Sequence, residues 1–129
     1  MKVVDASIIV KLLIEEDGSA VVRELVKKEE MVVPDLLFIE VANTLATKTR
    51  LSPVQVKEGL ELVYELGLRV ENTDKKLLVE AAAMAKQKGT AVYDMLYAVL
   101  AKRLGVELMT ADRKFVSRTK FDFVKLLDA

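Results

Sequence analysis

The chain of 129 residues has no histidine, no cysteine and no tryptophan. Without cysteine there are no disulfides, no thiol nucleophile and no thiolate zinc site, and without histidine the usual neutral general base and the usual zinc ligand disappear too. Side-chain amides are also scarce, limited to Asn43, Gln55, Asn72 and Gln87. Together with 31% charged residues, that scarcity resembles the composition of thermophile proteins. No stretch is long and apolar enough to span a bilayer, and Met1-Lys2-Val3-Val4-Asp5 breaks its apolar run after two residues, unlike a signal peptide. A cytoplasmic location is the resulting expectation. The chemistry left to the chain is that of oxygen donors, which suit hard divalent cations, chiefly Mg²⁺ or Mn²⁺.

What is present suits one compact domain over residues 1–129, with 52% hydrophobic residues and room for a single core. The formal net charge is zero, but the charge is unevenly placed. Residues 1–40 carry five basic and nine acidic side chains, whereas residues 102–125 carry seven basic and three acidic ones. Residues 41–57 add Lys48, Arg50 and Lys57 with no acid. Such local basic clusters serve phosphate contacts, although solvated helix faces explain any one of them equally well.

Periodicity and breakers divide the chain into alternating elements. A strand over Lys2–Asp5 leads into an apolar helix through Leu13, and Gly18-Ser19 opens a second amphipathic helix. Met31–Pro34 reads as a buried strand, after which Asp35 caps a helix running to about Arg50. Ser52-Pro53 starts a helix ending near Gly67, Leu68–Glu71 is a strand, and Asp74–Lys88 is a helix stopped by Gly89. Thr90 caps a helix to Leu104, stopped by Gly105; Glu107–Thr110 is a strand, Asp112 opens a short helix, and Phe123–Leu126 is the last strand. Strands alternating with helices predict an α/β fold, a parallel sheet with helices on both faces. In such sheets ligands sit beyond the carboxyl ends of the strands. Asp5 and Asp112 both lie just past a strand end on that edge.

Four acids, Asp5, Glu40, Asp94 and Asp112, sit within or beside apolar segments. Asp5 and Asp112 each have a structural explanation as helix caps, and Asp94, in the first turn of its helix, as a partner of the helix dipole. Ala98 and Ala101 would let the Asp94 helix approach the strands closely. Glu40 is harder to explain this way. Its helix is apolar on almost every side, with Glu40, Asn43 and Thr47 stacked at i, i+3, i+7, so it needs a wet cleft or a buried ion pair with an arginine. Several carboxylates aimed at one interior point need a shared counter-charge, which a divalent cation supplies.

Taken in order, the segments Val4-Asp5-Ala6-Ser7, Ile39-Glu40-Val41-Ala42-Asn43, Tyr93-Asp94-Met95-Leu96-Tyr97 and Thr110-Ala111-Asp112 resemble the motifs of PIN-domain nucleases, in particular VapC-type toxins of toxin–antitoxin pairs. The resemblance covers the whole chain. It implies a three-layer α/β/α sandwich with a central, mostly parallel sheet of about five strands. It also implies a Mg²⁺- or Mn²⁺-dependent endoribonuclease with Asp5, Glu40, Asp94 and Asp112 as catalytic and metal residues. Ser7 and Thr110 would stand beside the metal, Asn43 would orient Glu40, and Lys48, Arg50, Arg113 and Lys114 would contact RNA phosphates. Lys11 is expected in a surface or interface ion pair instead. The partners implied are RNA, a cognate antitoxin covering the acidic cleft, and a second copy of the chain in a homodimer or higher oligomer. Apolar faces such as that of the Val54–Leu66 helix also point to self-association.

Other readings remain beside this one. A PIN nuclease of RNA processing or DNA metabolism outside a toxin pair fits the same residues, as does a PIN binding module without turnover. An aspartyl-nucleophile phosphatase would want an acid where Ser7 stands. A receiver domain would want adjacent acids at the first strand and a late lysine, neither of which is seen.

Overall fold

The computed structural model describes residues 1–128. Among them run β1 (Lys2–Val4), α1 (Ala6–Leu13), α2 (Ser19–Lys28), β2 (Met31–Pro34), α3 (Leu36–Thr47) and α4 (Pro53–Glu65), followed by β3 (Arg69–Glu71), α5 (Lys75–Lys88), α6 (Val92–Leu104), β4 (Leu108–Thr110), α7 (Arg113–Thr119) and β5 (Val124–Leu126). The strands form one five-stranded sheet in the order β3-β2-β1-β4-β5. All four pairings are parallel, with Val3 opposite Val32 on one side and Leu108 on the other. The sheet is therefore wholly rather than mostly parallel.

This order places the candidate site. The chain steps outward from β1 to β2 and β3, then crosses back to β4 on the other side of β1. Right-handed crossovers consequently put α1–α4 over one face and α5–α7 over the other. The direction reverses between β1 and β4, and a cleft opens beyond their carboxyl ends. Asp5 follows β1 and Asp112 follows β4, so the chain path alone brings them to the same opening.

The core explains why the elements sit where they do. Val3, Val4, Val32, Val33 and Leu108 of the inner strands are at most 1% exposed. Such apolar runs mark strands covered on both faces. On β3, at the sheet edge, Arg69 and Val70 are exposed, and Arg69 pairs with Glu71 at 2.8 Å. Short, charged edges of this kind discourage pairing with another chain. Helix α6 is the central helix, packed on β1, β2, β4 and α5. Each residue from Met95 to Ala101 is at most 4% exposed. Ala98 and Ala101, both 0% exposed, permit the close approach. Gly89 and Gly105 end α5 and α6 in the left-handed region at φ 70° and 69°, where a side chain would be strained.

Two expected caps differ. Asp35 makes no cap hydrogen bond; its carboxylate accepts from the Thr73 hydroxyl at 2.7 Å and so ties the end of β2 to the loop after β3. The N-cap of α6 is Ala91 rather than Thr90, and no side chain caps that end. Helix α3 stops at Thr47, short of Arg50. There the hydroxyls of Thr47 and Thr49 donate to the carbonyls of Asn43 and Leu45, competing with further helical turns. By contrast, Ser52 and Gln55 form a full capping box on α4 with Pro53 in its first turn.

Candidate active site

Asp5, Glu40, Asp94 and Asp112 all line one cleft of about 1220 Å³ at the carboxyl edge of the sheet. Each arrives by a different route. Asp5 occupies the N-cap position of α1, yet its carboxylate makes no cap bond. Instead Ser7 donates to one of its oxygens at 2.5 Å and Thr110 donates to the other. The two hydroxyls then accept in turn, Ser7 Oγ from the Ala111 N–H and Thr110 Oγ1 from the Asp112 N–H, both at 3.0 Å. This chain of hydrogen bonds clips the ends of β1 and β4 together and holds Asp5 in a fixed orientation. Asp112 caps α7 by accepting from the Phe115 N–H at 3.1 Å while also facing the cleft. Its structural and functional explanations are thus compatible.

Glu40 has neither of its expected partners. Asn43 is exposed, outside the cleft lining, and makes no hydrogen bond to Glu40 among the described residues. The residues of α3 that share the cleft with Glu40 are Thr44 and Thr47, at i+4 and i+7. An ion pair with arginine is likewise absent among the described residues. The partner is Tyr97 of α6, whose hydroxyl donates to Glu40 Oε1 at 2.5 Å. Tyr97 lies one turn after Asp94 on the same helix, so α6 contributes both an acid and a phenol to the cleft. The Tyr-Asp-x-x-Tyr spacing carried that signal, since i+3 residues share a helix face.

Electrostatics marks this group as unusual. Burial raises the Asp5 pKa from 3.8 to about 6, against the opposing pull of the Ser7 and Thr110 hydroxyls and the Ile8 N–H, and Asp94 raises it further. Burial also lifts Asp94 to about 6, helped by the negative charges of Asp112 and Glu40. Burial, then the Glu40 carboxylate, pushes the Tyr97 phenol above its ordinary range, so it remains a donor. None of the four acids is ion-paired with a lysine or arginine among the described residues. Like charges crowded in a partly desolvated cleft without a cation are a functional pattern, because a purely structural arrangement would pair them.

The donor set fits a hard divalent cation. Every group is an oxygen, the negative charge is uncompensated, and Asp5 is oriented by neutral hydroxyls that leave its remaining lone pairs available. No three acidic side chains among the described residues converge tightly enough to form a ready ligand set.

The same cleft continues past the acids along α3 to Lys48 and Arg50 and across to Lys11 and Gln55. Eight residues of α3 and its end separate Glu40 from Lys48, a span of about 12 Å at helical rise. Lys48 and Arg50 make no ion pair among the described residues. Lys11 pairs with Glu16 at 3.2 Å, as expected, and donates to the Asp17 carbonyl at 2.7 Å; its side chain, 13% exposed, also forms part of the cleft wall. Arg113 and Lys114 are exposed on the first turn of α7, outside the cleft lining.

A family model of the PIN domain matches residues 2–121. Ribonuclease VapC3 of Pyrobaculum aerophilum is 33% identical over 122 residues, covering 90% of this chain and 92% of that protein. Among solved structures, PAE2754 from Pyrobaculum aerophilum matches with a TM-score of 0.75 at 25% identity, covering 98% of this chain and 88% of its own. VapBC2 from Rickettsia felis, solved bound to a DNA fragment from its promoter, matches in fold with a TM-score of 0.71 at 18% identity, covering 98% of each chain. The motifs, the sheet order and these matches agree, and the chain belongs to the PIN-domain family.

Proposed function

We propose that this protein is a metal-dependent endoribonuclease, the toxin of a VapBC-type pair, hydrolysing RNA phosphodiester bonds in the cleft formed by Asp5, Glu40, Asp94 and Asp112. The observation that carries the reading is the set of four carboxylates around one cleft, none of them ion-paired with a lysine or arginine among the described residues. Asp5 and Asp94 are the principal holders of Mg²⁺ or Mn²⁺, with Glu40 and Asp112 acting directly or through water. A bound divalent ion supplies the counter-charge and the acidified water that phosphodiester hydrolysis needs in a chain lacking histidine. Ser7 and Thr110 keep both oxygens of Asp5 aimed, and the Asp112 cap fixes the start of α7 beside them.

Lys48 and Arg50 draw the phosphates flanking the scissile one along α3, while Lys11 borders that path. Arg113 and Lys114, on the outer surface of α7, serve at most the periphery of the RNA. The antitoxin covers the same cleft, its own cation taking up the carboxylate charge that metal would otherwise balance. Homodimerisation belongs to this reading as well, with Ile39, Leu62 and Tyr64 on α3 and α4, 71%, 53% and 65% exposed, as the apolar side chains a second copy would cover.

The decisive experiment is cleavage of a defined single-stranded RNA and its DNA counterpart by purified protein, with Mn²⁺, with Mg²⁺ and with chelator. RNA cleavage that requires the ion, and that falls at least about 100-fold in Asp94→Asn with the fold intact by circular dichroism, is the expected result. Cleavage that persists in chelator or in Asp94→Asn would remove the assignment. Preferential cutting of DNA would move the protein to a DNA-directed role.

A further inference from the structure

We propose that Tyr97 is the positioning residue for Glu40, fixing the carboxylate in the orientation in which it serves the bound divalent ion. The inference rests on the metal-dependent reading above and assigns to the site a residue other than its acids. Glu40 projects from α3, in the helical layer that covers one face of the sheet, whereas Tyr97 belongs to α6 on the other. The hydrogen bond between them at 2.5 Å thus joins the two layers at the carboxyl edge. Among the described residues it is the one side-chain hydrogen bond Glu40 makes.

The two partners differ in freedom. Glu40 is half-buried at the cleft and has a long side chain with several rotatable bonds, which no cation and no α3 neighbour restrains. Tyr97 is 1% exposed, and its ring belongs to the hydrophobic core beneath α6, which packs on β1, β2 and β4. A rigid donor therefore holds a mobile acceptor. With Oε1 engaged, Oε2 is the oxygen left for an ion or its water shell. Groups that orient metal ligands in this way typically govern 10–100-fold in affinity or activity. Asp94, one turn before Tyr97, is carried by the same helix, so α6 sets the separation of two acids at once.

The test uses Tyr97→Phe, which keeps the ring in the core and removes the donor. Mn²⁺ binding by calorimetry is expected to weaken about 10-fold or more, with kcat reduced, KM for RNA unchanged and the metal-free melting temperature nearly that of wild type. Glu40→Gln supplies the second arm. If Tyr97 acts through Glu40, the double variant binds Mn²⁺ no more weakly than Glu40→Gln alone. Wild-type affinity in Tyr97→Phe, or losses that add in the double variant, would overturn the assignment while leaving the nuclease reading in place. A wild-type protein that takes up no Mn²⁺ at all would overturn both.

Discussion

At the amino edge of the sheet Lys2 holds Glu107 at 2.9 Å and Glu29 at 3.6 Å, whereas Asp5, three residues later along the same chain, meets neutral donors and no ion-pair partner among the described residues. Met1 adds its terminal ammonium to Glu29, and Arg69 approaches Glu30 on the same side. The hydrogen bond from Lys2 lowers the pKa of Glu107, while burial raises those of Asp5 and Asp94 to about 6. Both edges use the same residue types. The amino edge pairs its acids with cations and so strengthens the fold; the carboxyl edge gives Asp5, Glu40 and Asp112 hydroxyl or N–H donors but no ion pair among the described residues, so their charge is left unbalanced. A stability cost at one edge of the sheet is the physical trace of its function.

Neutralising Asp5 is the sharpest way to break this comparison. The folded-state pKa of about 6 lies above the ordinary 3.8, so the folded chain holds its proton more tightly than the unfolded chain does. Stability therefore falls as pH rises from about 4 to about 6 and stays reduced above that, a penalty of at most about 3 kcal/mol for this one group. Asp5→Asn is expected to lose cleavage while raising the metal-free melting temperature at pH 7, by roughly 3–5 °C for each kcal/mol recovered. The gain should fade towards pH 4, where the wild-type carboxyl is already protonated. Saturating Mn²⁺ should stabilise wild type more at pH 7 than at pH 5, because protons compete for the same oxygens. A variant that melts lower than wild type at pH 7 would mean that the hydroxyl network, rather than the charge, dominates at Asp5.

The basic arm of the cleft should respond more gently. Lys48 lies about 12 Å from Glu40 at helical rise, Arg50 follows two residues later, and neither makes an ion pair among the described residues. Lys48→Ala and Arg50→Ala are each expected to raise KM for RNA a few-fold with kcat nearly unchanged. Each should also reduce the slope of log affinity against log salt by about 0.7, the loss of one phosphate contact to a single strand. The same change in Arg113, outside the cleft, should have less effect. Equal salt slopes for all three variants would place the RNA path elsewhere.

Much of this was legible before any coordinates, for reasons that lie in particular residues. The inner strands announce themselves as short apolar runs ending at or beside Asp5, Pro34 and Thr110, and the helix stops at Gly89 and Gly105 follow from φ values that glycine tolerates. Asp5, Asp94 and Asp112 could be placed because strand ends and helix starts fix where their backbones lie. What sequence could not supply is the choice of partner among neighbours of similar chemistry. Asn43 and Thr44 are adjacent on α3, and only the angle at which the helix meets the cleft decides that Thr44 faces inward. Tyr97 stands in the Tyr-Asp-x-x-Tyr segment, but its partner is not written there, since its ring belongs to the core and only its oxygen reaches Glu40, 57 positions away. Asp35 and Thr90 have the composition of caps, yet Thr73 captures the first and the N-cap of the next helix falls on Ala91, one residue after the second.

The amino edge gives the smallest effect and the control for all the others. Lys2 and Glu107 are 19% and 44% exposed, so solvent screens their attraction and the pair is worth less than about 1 kcal/mol. Because the pKa of Glu107 is lowered in the fold, its contribution is present above the ordinary glutamate value of 4.5 and is lost as pH falls through the lowered one. Glu107→Gln should therefore reduce the melting temperature slightly at pH 7, by a margin that shrinks with added salt and is lost once the pH falls below the lowered pKa of Glu107. This is the opposite sign and the opposite pH trend to Asp5→Asn, two changes of the same chemical kind on strands that pair side by side. RNA cleavage should be unaltered, since Glu107 faces away from the cleft. If Glu107→Gln instead stabilised the protein at neutral pH, charge pairing would not be what separates the two edges, and the raised pKa of Asp5 would need an explanation in burial alone.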